Sequence, residues 1–184
     1  MYTTFGTGDP FDRGGVGFGG AVARALAISF VASFSGTFDS IRVPVFDSDG
    51  SNSYTLTLAI DSSGTPGFSL ETLSGLVFPS TMLVISTVNS STHPMLSAGS
   101  TYWVVLEPTH PSFGAWYLNG LGILGVSVGG PATGFTWVSD PNTLSPAVEL
   151  NATAAGVPEP ATLGLTFAGL VALVFVRRRA SRTA

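Results

Sequence analysis

The sequence predicts an all-β chain, an antiparallel β-sandwich of jelly-roll-like form, followed by a single C-terminal transmembrane helix. Three observations carry that expectation. Apolar residues alternate with small or polar ones over short stretches. The alternation is clearest in Thr55-Leu56-Thr57-Leu58-Ala59-Ile60, where Leu56, Leu58 and Ile60 share one face. Clusters of Gly, Pro, Ser and Asp separate these stretches at the spacing that turns between antiparallel strands require. A long uncharged apolar run, Ala161 to Val176, ends abruptly at Arg177-Arg178-Arg179.

In chain order, residues 1–16 form a glycine-rich segment expected to lie outside the sandwich. Residues 17–152 form the sandwich, 153–156 a short linker and 157–184 the tail. The stretch from Arg24 to Ala32 has two readings. A basic residue before an apolar run resembles a secretory signal. Alternation of Leu26, Ile28 and Phe30 with small residues favours a strand. An exported chain needs a signal, so the true start is expected upstream of Met1. Ile41, Val43 and Val45 alternate, and Pro44 among them removes a ladder donor, which predicts an edge strand or a bulge. Further strands are expected at 68–73, 82–88, 101–106, 115–118, 135–138 and 147–150, rich in β-branched and aromatic residues. Asp47-Ser48-Asp49-Gly50, Ser63-Gly64-Thr65-Pro66-Gly67, Ser97-Ala98-Gly99 and Asp140-Pro141-Asn142 supply turns between them.

Composition excludes several functions. The 184 residues contain no Cys, so disulfides, thiolate metal sites and a cysteine nucleophile are ruled out. All seven basic residues are Arg, and four of them (Arg177, Arg178, Arg179 and Arg182) lie in the tail. The body is therefore acidic, with no basic patch to neutralise nucleic-acid phosphates.

The tail reads as a topology device. As a helix, Ala161 to Val176 spans ~24 Å, short of the ~30 Å hydrocarbon core. Snorkelling of the arginines or local thinning of the bilayer closes that gap. Pro160 suits a helix start, while Gly164 and Gly169 weaken the helix, as befits a transient anchor. The arginines belong on the cytoplasmic side, with the domain on the periplasmic side of the inner membrane. Val157-Pro158-Glu159-Pro160, the apolar run and the arginine stop together resemble the PEP-CTERM sorting signal of Gram-negative bacteria. That resemblance implies processing by an exosortase, which recognises Pro158, Glu159 and Pro160, removes the tail and passes the protein to the cell surface or the medium.

The body carries a second resemblance. Gly64-Thr65-Pro66-Gly67, Leu96-Ser97-Ala98-Gly99-Ser100-Thr101-Tyr102-Trp103 and Ala115-Trp116-Tyr117-Leu118-Asn119 resemble the pattern of the choice-of-anchor R domain. The likeness covers roughly residues 17–150. It implies a sandwich joined to an interchangeable anchor and brings no catalytic residues with it.

Candidate chemistry in the body is sparse. His93 and His110 each precede proline and have no second ligand at metal spacing, so they read as loop residues. No G-x-S-x-G elbow, phosphate loop or dinucleotide fingerprint is present. Glu71, Glu107 and Glu149 are scattered, and a glycosidase needs two carboxylates close in space. Asp47, Asp49 and Asn52 have the oxygen chemistry of a Ca²⁺ site, although Asp49-Gly50 also serves as a hairpin turn. No other cofactor is indicated. Trp103, Trp116 and Tyr117 are either core residues or platforms for sugar rings. Alternation sets Tyr102 and Trp103 on opposite faces, and likewise Trp116 and Tyr117. Two functional classes follow: a non-catalytic surface protein in contact with exopolysaccharide, and a secreted hydrolase using the scattered carboxylates. A permanent single-pass membrane protein is the alternative to tail removal.

Overall fold

The computed structural model describes residues 2–8, 11–19, 24–48, 54–78, 84–109, 113–129 and 136–155. The apolar run, the sorting motif and the arginine stop lie outside them. Among the described residues no helix is long and apolar enough to cross a membrane.

Fourteen strands run through the described chain: β1 (Tyr2–Thr3), β2 (Phe11–Gly19), β3 (Ala25–Val31), β4 (Gly36–Val43), β5 (Val45–Asp47), β6 (Tyr54–Asp61), β7 (Pro66–Leu76), β8 (Ser86–Asn89), β9 (Met95–Leu96), β10 (Thr101–Pro108), β11 (Phe113–Asn119), β12 (Leu124–Gly129), β13 (Val138–Leu144) and β14 (Glu149–Ala154). They pair antiparallel throughout. A six-stranded sheet has the order β13-β12-β3-β10-β6-β7. A five-stranded sheet runs β1-β14-β4-β8, with β9 also on β4, and a three-stranded sheet runs β2-β11-β5.

The alternation seen in the sequence builds the core. Val104 of β10 lies opposite Ile28 of β3 and Leu58 of β6, and Leu106 lies opposite Leu26 and Leu56. These side chains share one face, and all are fully buried. They meet Ile41, Val43 and Leu150 of the five-stranded sheet, and Phe18, Val45 and Trp116 of the three-stranded one, in a single cluster. Each such side chain contributes about 1.5–3 kcal/mol on burial. Ile60, expected on the same buried face, sits at the strand end and is 39% exposed.

The structure also revises expectations elsewhere in the chain. The sandwich does not begin at residue 17, because β1 pairs with β14 and β2 pairs with β11. The glycines of β2 are there for close approach: a Cβ at Gly15 would lie 2.9 Å from that of Ala115 on β11. Pro44 does not lie within one strand: of the two that it separates, β4 carries a register shift between Phe38 and Ser40, and β5 is the edge strand of its sheet. Pro44 falls between β4, which is flanked by β14 and β8, and β5, which joins another sheet, so the chain changes sheets there. Asp140-Pro141-Asn142 lies inside β13 rather than between strands, with Asp140 accepting from the Asn142 and Thr143 amides and the Thr143 hydroxyl. The presumed linker begins inside β14, which extends to Ala154 against Gly36 of β4.

Candidate functional site

The six-stranded sheet has a second, outer face, and it carries the candidate site. Residues opposite one another across an antiparallel ladder share a face. Trp103 is opposite Ser29 and Ala59, Val105 is opposite Ala27 and Thr57, and Ser127 is opposite Ala27 and Ser139. Ala27, Ala59, Trp103 and Val105 form a small apolar cluster of their own, with Trp137 packed against it. Gly129 makes room for that packing, since a Cβ there would lie 2.6 Å from Cε3 of Trp137. Trp103 donates its indole N–H to Asp61 Oδ1 at 2.8 Å.

A cavity opens beside this cluster where two strands part. β12 pairs with β3 only as far as Ser127 opposite Ala27. At Gly125 the backbone takes φ +110, a left-handed conformation that side chains rarely adopt, and the β12–β13 register shifts there. The resulting cavity has a volume of about 80 Å³ and is lined by Tyr2, Ser29, Trp103, Gly125, Ser127 and Ser139 among others.

The aromatic residues singled out by sequence do not form one platform. Trp116 is fully buried in the central strand of the three-stranded sheet, donating its indole N–H to Ala147 O at 2.8 Å. Tyr117 is buried on the opposite face, its ring 5.5 Å from that of Phe11. Neither presents a ring face for a sugar, because neighbouring strands and aromatics cover both. Trp103, 6% exposed, lines that cavity.

The carboxylates separate onto different faces. Glu71 lies opposite Leu58 and therefore faces inward, whereas Glu107 lies opposite Thr55 on the outer face. Glu149 belongs to the other sheet and pairs with Arg42 at 3.0 Å. Glu71 and Glu107 stand on either side of one sheet and cannot flank a glycosidic bond together. Glu71 is instead a clamp. Burial alone pushes its pKa up. It accepts from the Ser90 hydroxyl at 2.6 Å, the Ser91 amide at 2.6 Å, the Ser91 hydroxyl at 2.9 Å and the Thr92 amide at 3.0 Å. These bonds outweigh burial and hold the pKa down to about 2. Burial raises the pKa of Glu107.

Of the calcium candidates, Asp47 is fully buried and accepts from the Tyr54 hydroxyl at 2.8 Å. Asp49 and Asn52 lie outside the described residues, as does His110. The described residues hold no group of three His, Asp or Glu side chains suited to a metal. His93 adopts φ 49, with Nδ1 3.1 Å from Phe38 O.

Sequence reasoning passed over Ser29, Ser127, Ser139 and Tyr2. The signal was present in part. Ile28-Ser29-Phe30 and Val126-Ser127-Val128 each set a serine opposite two core residues. That these serines converge depends on strand order.

No protein-family model and no curated protein matches the chain. Among solved structures, it is similar to a family 35 carbohydrate binding module from an environmental isolate, at 16% identity and a TM-score of 0.39, over 86% of this chain and 92% of that one. The likeness is distant.

Proposed function

We propose that this chain is an exported bacterial surface protein, delivered by its C-terminal signal to an exosortase, with a non-catalytic β-sandwich that associates with exopolysaccharide. One observation carries the route: Val157-Pro158-Glu159-Pro160, sixteen uncharged residues and Arg177-Arg178-Arg179 follow one another in the order a transient anchor needs. In this reading the helix holds the domain on the periplasmic side and the arginines stay in the cytoplasm. Cleavage near Pro160 then frees the sandwich for the surface or the medium. The separation of Glu71 from Glu107 across one sheet supports a binding role over a hydrolase built on that carboxylate pair.

Mass spectrometry of the mature C-terminus tests the route. Loss of everything beyond about Pro160, prevented by Glu159→Ala, is the expected result. An intact arginine tail on the mature protein would make it a permanently anchored single-pass protein instead.

A further inference from the structure

We infer that the cavity where β12 parts from β3 is a subsite for one sugar of a neutral polysaccharide, contacted by Ser29, Ser127, Ser139 and Tyr2 beside the Trp103 wall. This rests on the exopolysaccharide reading and names the place and the chemistry of the contact.

The hydroxyls carry it. Ser127 is only 3% exposed and lines the cavity. Its side chain makes no hydrogen bond within the protein among the described residues, and the same holds for Ser29, Ser139 and the Tyr2 hydroxyl. Buried hydroxyls are ordinarily satisfied, so a group that deep with no protein partner is suited to a partner from outside. The backbone has given up regular pairing to create the opening, through the Gly125 conformation and the register shift.

Charge narrows the ligand. Among the described residues no Asp, Glu, Arg or His lines the cavity. The nearby Asp61 carboxylate accepts from Trp103. A uronate or phosphate would find no cation here, and an amine no free anion. Neutral hydroxyls match neutral hydroxyls, each serine offering one donor and two acceptor sites. Size narrows it further. At about 80 Å³ the cavity is smaller than the ~150 Å³ that encloses a benzene ring. It admits a hydroxymethyl arm or the hydroxyl edge of a pyranose while the rest of the chain lies over the outer face. Ser29 and Ser139, both exposed, stand at the mouth, and Ser127 is the deep contact.

Calorimetric titration of the full chain, held in a detergent without a sugar headgroup, tests the assignment. The probes are neutral glucan, galactan and mannan oligosaccharides, with oligogalacturonate as the anionic counterpart. Saturable binding of at least one neutral probe and none of the anionic one is expected. Ser139→Phe, which fills the mouth from an exposed position, should abolish binding with an unchanged melting temperature. Ser127→Ala should weaken it about tenfold, the loss of one buried hydrogen bond. Preference for the anionic probe, or no saturable binding of any neutral one, overturns the inference. Neutral binding that survives both substitutions also overturns the subsite while leaving exopolysaccharide association intact. Tail processing is read separately by mass, so a chain correctly trimmed but indifferent to neutral sugars sinks only the subsite.

Discussion

The two faces of the six-stranded sheet are built from the same strands and differ in what lies over them. On the inner face, Leu26, Ile28, Leu56, Leu58, Val104 and Leu106 meet two further sheets and are fully buried. On the outer face the corresponding positions are Ala27, Ser29, Thr57, Ala59, Trp103 and Val105, a set of mostly small side chains around one indole. Large aliphatic residues fill a core, and small ones with hydroxyls leave room beside an aromatic. The difference separates the part of the sheet that holds the fold together from the part where the sugar subsite is proposed. The two carboxylates follow the same division: inward Glu71 has four hydrogen bonds and a lowered pKa, and outward Glu107 has a raised one.

Substitutions can break this contrast, and the largest effect belongs to the core. Trp116→Ala should cost about 3–5 kcal/mol in urea unfolding, because it leaves a cavity and strips Ala147 O of its donor. A loss below about 1 kcal/mol would mean that Trp116 is not packed as described.

Glu71→Gln comes next, at about 2 kcal/mol, since amides and hydroxyls placed for a carboxylate lose their charged acceptor. The acid limb sharpens this. Glu71 titrates lower in the folded chain, about 2, than its ordinary 4.5. The stability it contributes is present above pH 4.5 and is lost as the pH falls toward about 2. Glu107, raised by burial, acts in the opposite sense: its contribution is present below its ordinary pKa and is lost as the pH rises through its folded value. Unfolding measured across this range should show a shallower acid limb in Glu71→Gln than in the parent. Equal slopes would remove the clamp from the account.

On the outer face the effects shrink. Trp103→Phe should cost about 1 kcal/mol, the hydrogen bond to Asp61, read from the same urea curves. Ser127→Ala should change stability by less than about 0.5 kcal/mol, because its hydroxyl has no protein partner to lose. A large loss at Ser127 would erase the distinction between the faces at that position.

Much of the sandwich was legible. The runs that became β3 and β6 alternate, and alternation reports a half-buried strand whatever it packs against, while β10 was legible from its β-branched and aromatic content. β2 and β12 escaped notice because glycines interrupt their patterns. Gly15 is needed for close approach to Ala115, and Gly125 for a conformation that opens a cavity. A residue chosen for what a neighbouring strand requires carries no local signal of its own. The aromatics were legible only by half. Alternation set Trp103 apart from Tyr102, and Trp116 from Tyr117. It left open which ring would be covered, since coverage is a property of the adjacent sheets.

The sequence by itself determined the all-β character of the body, the absence of thiol chemistry and the order of motif, apolar run and arginine stop on which the proposed export route rests. These follow from residue type and spacing along the chain, where short-range periodicity and hydrophobicity suffice. Only the tertiary structure decided that Pro44 divides two sheets, that Glu71 and Glu107 stand on opposite faces, and that three serines from β3, β12 and β13 converge beside Trp103. Those outcomes depend on which strands become neighbours. Strand order is set by the packing of the whole core, and no single segment encodes it.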